Sequence, residues 1–261
     1  MINWEAIGRK GVTSAIKVLR ELKEVKAFNN ELNIKTDADI ISNNKIKEIL
    51  TKSGASCDFV SEEDEEIIKI NGGNKKVQVV VDPVDYTHFF LRGELSFCSV
   101  ALMVLIDGFP KYSFVGSIAN NDMYHCDEKS AYKNNQKITV PIKIQGKNII
   151  VGYAPYKFRA KKFVDGLADL TEGNYFIYNF GGQLHAAKIA DGIYDALIEV
   201  RDESLHEFAG AVIAERAGGV ISTLEGKPID WNPSKKQTLL IARNKKIKKD
   251  ILNQFKKYRE F

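Results

Sequence analysis

The sequence predicts a mixed α/β fold, α+β in its first half and layered α/β in its second. Three observations predict it. Two N-terminal segments carry apolar residues at helical spacing. From about residue 77 the period shortens to β-branched runs bounded by turns. From residue 149 onward strand and helix patterns alternate, as they do in layered α/β units.

Taken in order, residues 4–25 place Ile7, Val12, Ala15, Ile16, Leu19 and Leu22 near one helical face, with Gly8 and Gly11 weakening its start. Residues 39–52 read as a second helix through Ile40, Ile41, Ile46, Ile49 and Leu50, and Gly54 ends it. Residues 77–81 form a buried strand, and residues 97–106 another. A turn at 107–110 leads into a meander over 111–118 and 123–126. The second half reads as a strand at 149–153, a helix at 160–170, a strand at 175–178 and a helix at 183–190. A strand at 195–200 and a helix at 207–217 follow, the latter closed by Gly218 and Gly219. Short strands at 220–222 and 239–242, separated by a turn at 225–227, precede a basic amphipathic helix beginning near Lys245. Pro141 marks the expected junction of an N-terminal half, 1–141, and a C-terminal half, 142–261, packed as one unit.

Composition narrows the function classes. The net charge of +4, from 38 basic and 34 acidic residues in 261, is too mild to point to nucleic acid. The basic excess is local, around Lys157, Arg159, Lys161 and Lys162 and again from Lys245 to Arg259, as on solvated helix faces. Cys57, Cys98 and Cys126 lack metal-finger spacing, and Cys98 lies in an apolar run that predicts a buried free thiol. No uninterrupted apolar segment opens the chain or reaches membrane-spanning length, so the expected setting is the cytoplasm.

The chemistry concentrates in two acidic stretches. After the apolar run Val79-Val80-Val81 comes Asp82-Pro83-Val84-Asp85-Tyr86-Thr87. Pro83 donates no hydrogen bond, so the ladder is expected to stop there and present Asp82, Asp85 and the Val84 carbonyl around a turn. Three oxygens so placed suit a hard cation, but taken alone the motif reads first as an Asp-capped turn. About 20 residues earlier, Glu62-Glu63-Asp64-Glu65-Glu66 reads as a solvated loop or as carboxylates that one hairpin could bring back to the same cation.

These stretches, with Phe90-Leu91-Arg92-Gly93, Val100-Ala101-Leu102, residues 190–196 and Glu215-Arg216-Ala217-Gly218-Gly219-Val220, resemble the inositol monophosphatase family. That family belongs to the lithium-sensitive sugar phosphatases, which include fructose-1,6-bisphosphatases, and the likeness spans nearly the whole chain. The resemblance implies a layered α-β-α-β-α sandwich, a homodimer and two or three Mg²⁺ ions per site. It implies metal ligation by Glu62, Asp82, the Val84 carbonyl and Asp85. It gives Thr87 and Asp39 the orientation of the attacking water, with Asp37 as the fallback and a helix N-cap as the other reading of Asp39. Substrate contacts are implied for Asp85, Tyr86, Thr87, Glu199 and Gly182, although the pair Gly181-Gly182 also reads as a tight turn before a helix.

Three departures from the family pattern stand out. Tyr86 replaces the motif glycine, and His88 follows Thr87. The late metal-ligating aspartate has two matches here: His206 by counting back from Ala217, and Glu207 by the local motif Glu207-Phe208-Ala209-Gly210-Ala211, the preferred reading because a glutamate keeps the charge and an oxygen donor. The implied activity is hydrolysis of a small sugar or polyol phosphate by metal-activated water. The rivals are a 3′(2′),5′-bisphosphate nucleotidase and a non-catalytic relative that binds phosphometabolites.

Overall fold

A computed structural model describes residues 2–28, 34–142, 148–154 and 167–256. Helix α1 (Trp4–Glu21) starts on an Asn3 cap whose side chain accepts the Ala6 N–H. Its two glycines do not fray it. Gly8 lies against the Phe114 ring and Gly11 near Leu102 and Ile46, so they let the helix sit close on the sheet beneath. Helix α2 (Asp37–Lys52) begins two residues earlier than its apolar pattern, because Thr36 and Asp39 form a reciprocal capping box. Gly54 follows its end with φ +71°.

The first sheet has eight strands in the order β2-β1-β3-β4-β5-β6-β7-β8. Its central members are β1 (Cys57–Ser61), β3 (Val77–Asp85), β4 (Ser99–Ile106) and β5 (Phe109–Ser117). The edges are β2 (Ile68–Ile70) on one side and β6 (Met123–Cys126), β7 (Ala131–Lys133) and β8 (Gln136–Ile138) on the other. Strands β1, β2, β7 and β8 are too short and mixed for a clear period-2 signal. Pro83 does not end β3 as expected. The strand runs on to Asp85, with register Asp82↔Ala101 and then Asp85↔Ser99, so the proline opens an irregularity inside the ladder.

The second sheet, β10-β9-β11-β13-β12, is built from β9 (Ile149–Ala154), β10 (Tyr175–Tyr178), β11 (Ala196–Glu203), β12 (Val220–Ser222) and β13 (Gln237–Ala242). Between the sheets lie α4 (Gly182–Ala187) and α5 (Ala209–Arg216), the latter preceded by a 3₁₀ turn, Leu205–Phe208. A four-residue helix α3 (Thr87–Phe90) follows β3, and α6 (Lys245–Lys256) is the basic helix. The expected helix 160–170 and the basic residues 157–162 lie mostly or wholly outside the described residues, apart from a helical stretch at 167–171.

Alternating side chains order the layers. Val79, Val81, Leu102 and Val104 pack with Val12, Leu19, Ile46 and Leu50 of α1 and α2. Val80, Ala101, Met103 and Leu105 face the other way, onto Leu184, Ala187, Val212 and Ile213 of the middle helices, with Leu197, Leu239 and Ile241 of the second sheet closing that core. The opposite face, through Ile198, Leu240 and Ala242, packs on Ile247, Ile251 and Phe255 of α6. The arrangement is the α-β-α-β-α sandwich. All three cysteines are free and buried, and burial pushes their thiols up to about 12. Among the described residues no helix is long and apolar enough to cross a membrane.

Candidate active site

Parallel pairing of β1 and β3, with Ser61 opposite Val81, puts the ends of both strands on the same edge of the sheet. Glu62 thereby reaches Asp82 through strand register, not through the simple hairpin that the spacing suggested. The rest of the acidic run turns away. Glu63 lies 3.0 Å from Lys35, Asp64 pairs with Lys47 at 2.6 Å, and Glu65 and Glu66 are exposed.

Asp82, Asp85 and Glu207 present carboxylate oxygens within 4.8 Å of one another, and Glu62, His206 and Glu207 form a second such group. The structure thus brings both matches for the late ligand to the site. Glu207 joins the aspartates, and His206 Nε2 stands 4.0 Å from Glu62 and 3.9 Å from Glu207. Gln183 fixes this segment: its amide N–H donates to the His206 carbonyl at 2.7 Å, and its carbonyl oxygen accepts from Gly210 N–H at 2.9 Å.

The electrostatics of the cluster are those of like charges held together. Burial pushes the Asp82 carboxyl well above the usual range, and Glu207, Asp85, Glu62 and Asp39 each push it further. Burial likewise raises Glu207, with Glu203, Asp85, Glu62 and Glu199 adding to the effect. Asp85 is pushed up to about 7 by burial, although Gln183 N–H at 2.7 Å and Ser99 Oγ at 3.0 Å donate to its Oδ2. Such a set is stabilised in its ionised form by a cation, and an all-carboxylate donor set fits a hard divalent ion. Burial lowers His206, which favours the neutral imidazole with a free lone pair.

Thr87 heads α3, and its hydroxyl lies 2.9 Å from the Val84 carbonyl and 3.2 Å from Asp39 Oδ1. Asp39 is not the N-cap of α2. Its Oδ2 accepts from Thr36 N–H at 2.8 Å and Thr36 Oγ at 2.6 Å, so it closes the cap from inside while Oδ1 meets Thr87. Asp37 instead accepts from Lys26 N–H at 2.9 Å, on the other side of the helix start.

Tyr86 adopts the left-handed conformation, φ +65° and ψ 45°, that the glycine of the motif would take freely. Its hydroxyl accepts the Gly181 N–H at 2.7 Å, and its ring lies so near Gly182 that a Cβ there would overlap it. Gly182, at φ +77°, donates its N–H to Glu199 Oε1 at 3.1 Å. Burial drives Glu199 well above the carboxylate range.

These groups line a cavity of about 340 Å³. Glu62, Asp82, Val84, Asp85, Tyr86, Thr87, Gly182, Glu199 and Glu207 all border it, whereas Asp39 reaches it through Thr87. Residue-by-residue reading missed three contributors: Ser99 behind Asp85, and the pair Arg201–Glu203, joined by bonds of 2.7 and 2.8 Å on the cavity wall. The period-2 spacing of Glu199, Arg201 and Glu203 on β11 was a usable signal for the pair. Ser99 carried none.

The chain is similar to several known proteins. A fructose-1,6-bisphosphatase/inositol-1-monophosphatase of Archaeoglobus fulgidus is 28% identical over 195 residues, covering 70% of this chain and 71% of that one. The inositol-1-monophosphatase of Bacillus subtilis is 24% identical, covering 67% and 66%. A putative Nus factor SuhB of Neisseria meningitidis serogroup B is 23% identical, covering 77% of each. Among solved structures, the extragenic suppressor protein suhB of Bartonella henselae superposes with a TM-score of 0.84 at 20% identity, over 97% of this chain and 98% of that one. The family model for inositol monophosphatases matches residues 5–260, and the chain belongs to the inositol monophosphatase family.

Proposed function

We propose that the chain is a Mg²⁺-dependent phosphomonoesterase for a small phosphorylated sugar or polyol, with inositol-1-phosphate and fructose-1,6-bisphosphate as the leading substrates. One observation carries the reading. Glu62, Asp82, Asp85 and Glu207 converge at a cavity whose wall also holds Thr87 hydrogen-bonded to Asp39. Glu62, Asp82, Asp85, Glu207 and the Val84 carbonyl are the groups that would hold two or three Mg²⁺ ions. Bound there, the ions would neutralise phosphoryl oxygens and acidify water.

The chain's own residues supply the rest. Thr87 Oγ can pass its proton to Asp39 Oδ1 while accepting one from the attacking water, so the pair both aims the nucleophile and removes its proton. Asp39 is raised by burial, and the Thr36 bonds on its other oxygen oppose that and favour the ionised acceptor. Glu199, Arg201 and Glu203 line the same cavity and offer polar partners to sugar hydroxyls. A cavity of about 340 Å³ is near the lower end for small-molecule sites and suits a sugar phosphate better than a nucleotide. With this reading go a cytoplasmic setting and a homodimer, the latter checked by sedimentation.

The test is phosphate release, with and without Mg²⁺, from inositol-1-phosphate, fructose-1,6-bisphosphate and adenosine 3′,5′-bisphosphate. Mg²⁺-dependent release from either sugar or polyol ester is expected. Asp85→Asn should lower turnover by about 100-fold or more, since loss of an outer-shell partner alone reaches that size. A folded wild-type sample that releases phosphate from none of the three, or an Asp85→Asn variant that keeps most activity, would overturn the proposal.

A further inference from the structure

The Glu62, His206 and Glu207 group places a nitrogen donor at the edge of an otherwise all-oxygen cluster. His206 Nε2 is 4.0 Å from Glu62 Oε2 and 3.9 Å from Glu207 Oε1. Ligand bonds of about 2.0–2.2 Å to one ion would span such gaps without moving the backbone. The imidazole is held there by design of the chain. The 3₁₀ turn Leu205–Phe208 puts His206 and Glu207 side by side, and Gln183 ties the His206 carbonyl to α4 at 2.7 Å. The side chain is only 17% exposed, so it is enclosed with the carboxylates instead of swinging in solvent.

We propose that Glu62, His206 and Glu207 form a mixed nitrogen–oxygen site for a first-row transition ion such as Mn²⁺ or Zn²⁺, alongside the carboxylate pair Asp82 and Asp85. This rests on the reading of Glu62 and Glu207 as metal ligands. Imidazole suits Zn²⁺ and is a usable though weaker ligand for Mn²⁺, whereas Mg²⁺ takes oxygen and keeps its waters. The site therefore discriminates among divalent ions: His206 adds affinity for Mn²⁺ and Zn²⁺ and little for Mg²⁺.

The experiment uses the full chain, stripped of metal and loaded with Mn²⁺, and reads nitrogen coupling by pulsed electron paramagnetic resonance beside binding isotherms for Mn²⁺ and Mg²⁺. Wild type should show one imidazole nitrogen on Mn²⁺. His206→Ala and the closer-sized His206→Asn should lose that signal, weaken Mn²⁺ by about tenfold or more and leave Mg²⁺ within about twofold. Two variants and a melting curve separate a folding defect from a ligand loss. Mn²⁺ that binds wild type without nitrogen coupling, or variants that weaken both ions alike, would overturn the assignment while leaving the carboxylate site intact. Failure of the underlying reading looks different: Glu62→Gln and Asp82→Asn would then leave binding of both ions unchanged.

Discussion

At the scale of single residues, Tyr86 stands where the family pattern has glycine, and the structure shows how the departure is accommodated. The backbone keeps the left-handed turn at φ +65°, which costs a non-glycine residue on the order of 1 kcal/mol. Against this, the ring packs among Phe89, Phe97 and His185, and the hydroxyl holds the Gly181 N–H. Tyr86→Gly relieves the strain but leaves a void beside Gly182. Large aromatic deletions cost about 3–5 kcal/mol, so denaturant titration should show a net loss of about 2–4 kcal/mol. Tyr86→Phe should cost only about 1 kcal/mol, through the stranded Gly181 N–H. A Tyr86→Gly variant as stable as wild type would mean that the ring's packing does no more than offset the strain of the left-handed turn. Sequence alone located the substitution; Phe89 and Phe97 are near in the chain, but the partners Gly181 and His185, the former 95 residues away, were not legible because nothing local encodes them.

At the scale of elements, the helical period gave α1, yet it misjudged Gly8 and Gly11. Propensity treats a mid-helix glycine as a weakness worth about 1 kcal/mol, and would have Gly8→Ala stabilise the protein. Here a Cβ on Gly8 overlaps the ring of Phe114, which is fully buried on β5. Gly8→Ala is therefore expected to destabilise by about 1–3 kcal/mol, the usual cost of overpacking. A rise in melting temperature would show that α1 can lift off the sheet. The same contrast explains what else was legible. Strands 175–178 and 220–222 were found at their true bounds because turns flank them. Strand β1, which carries Glu62 to the site, was missed because Asp58 and Ser61 break its apolar run and its pairing with β3 is non-local. Counting points to His206 and motif chemistry to Glu207, and a 3₁₀ turn puts both at the cluster.

At the scale of the whole molecule, folding buries two imidazoles outside the carboxylate cluster as neutral groups, and this shapes how the protein meets acid. His125 lies 2% exposed between the Phe114 and Tyr132 rings, and its Nε2 accepts from Arg9 at 2.7 Å. Burial, then the Arg9 charge, lower it to about 4, with Asp127 opposing. Glu5 at 3.8 Å is consequently not a true ion-pair partner at neutral pH. His185 is likewise lowered to about 4, chiefly by burial. A depressed histidine binds its proton more readily in the unfolded chain. Its stabilising contribution is complete above about 6.5 and is lost as pH falls from there toward about 4. The raised carboxyls of the site act in the opposite sense, so the total pH profile mixes both. A difference isolates the histidine: wild type and His125→Gln share every carboxyl, and glutamine keeps an acceptor for Arg9 without titrating. Between pH 7.5 and 5 the stability of wild type relative to His125→Gln should fall by about 2 kcal/mol, at about 1.36 kcal/mol per pH unit below the unfolded value. Urea titrations of both proteins at three pH values check this. A difference that stays constant with pH would mean that His125 keeps its ordinary affinity for protons in the fold, and that the Arg9 contact does not hold it neutral.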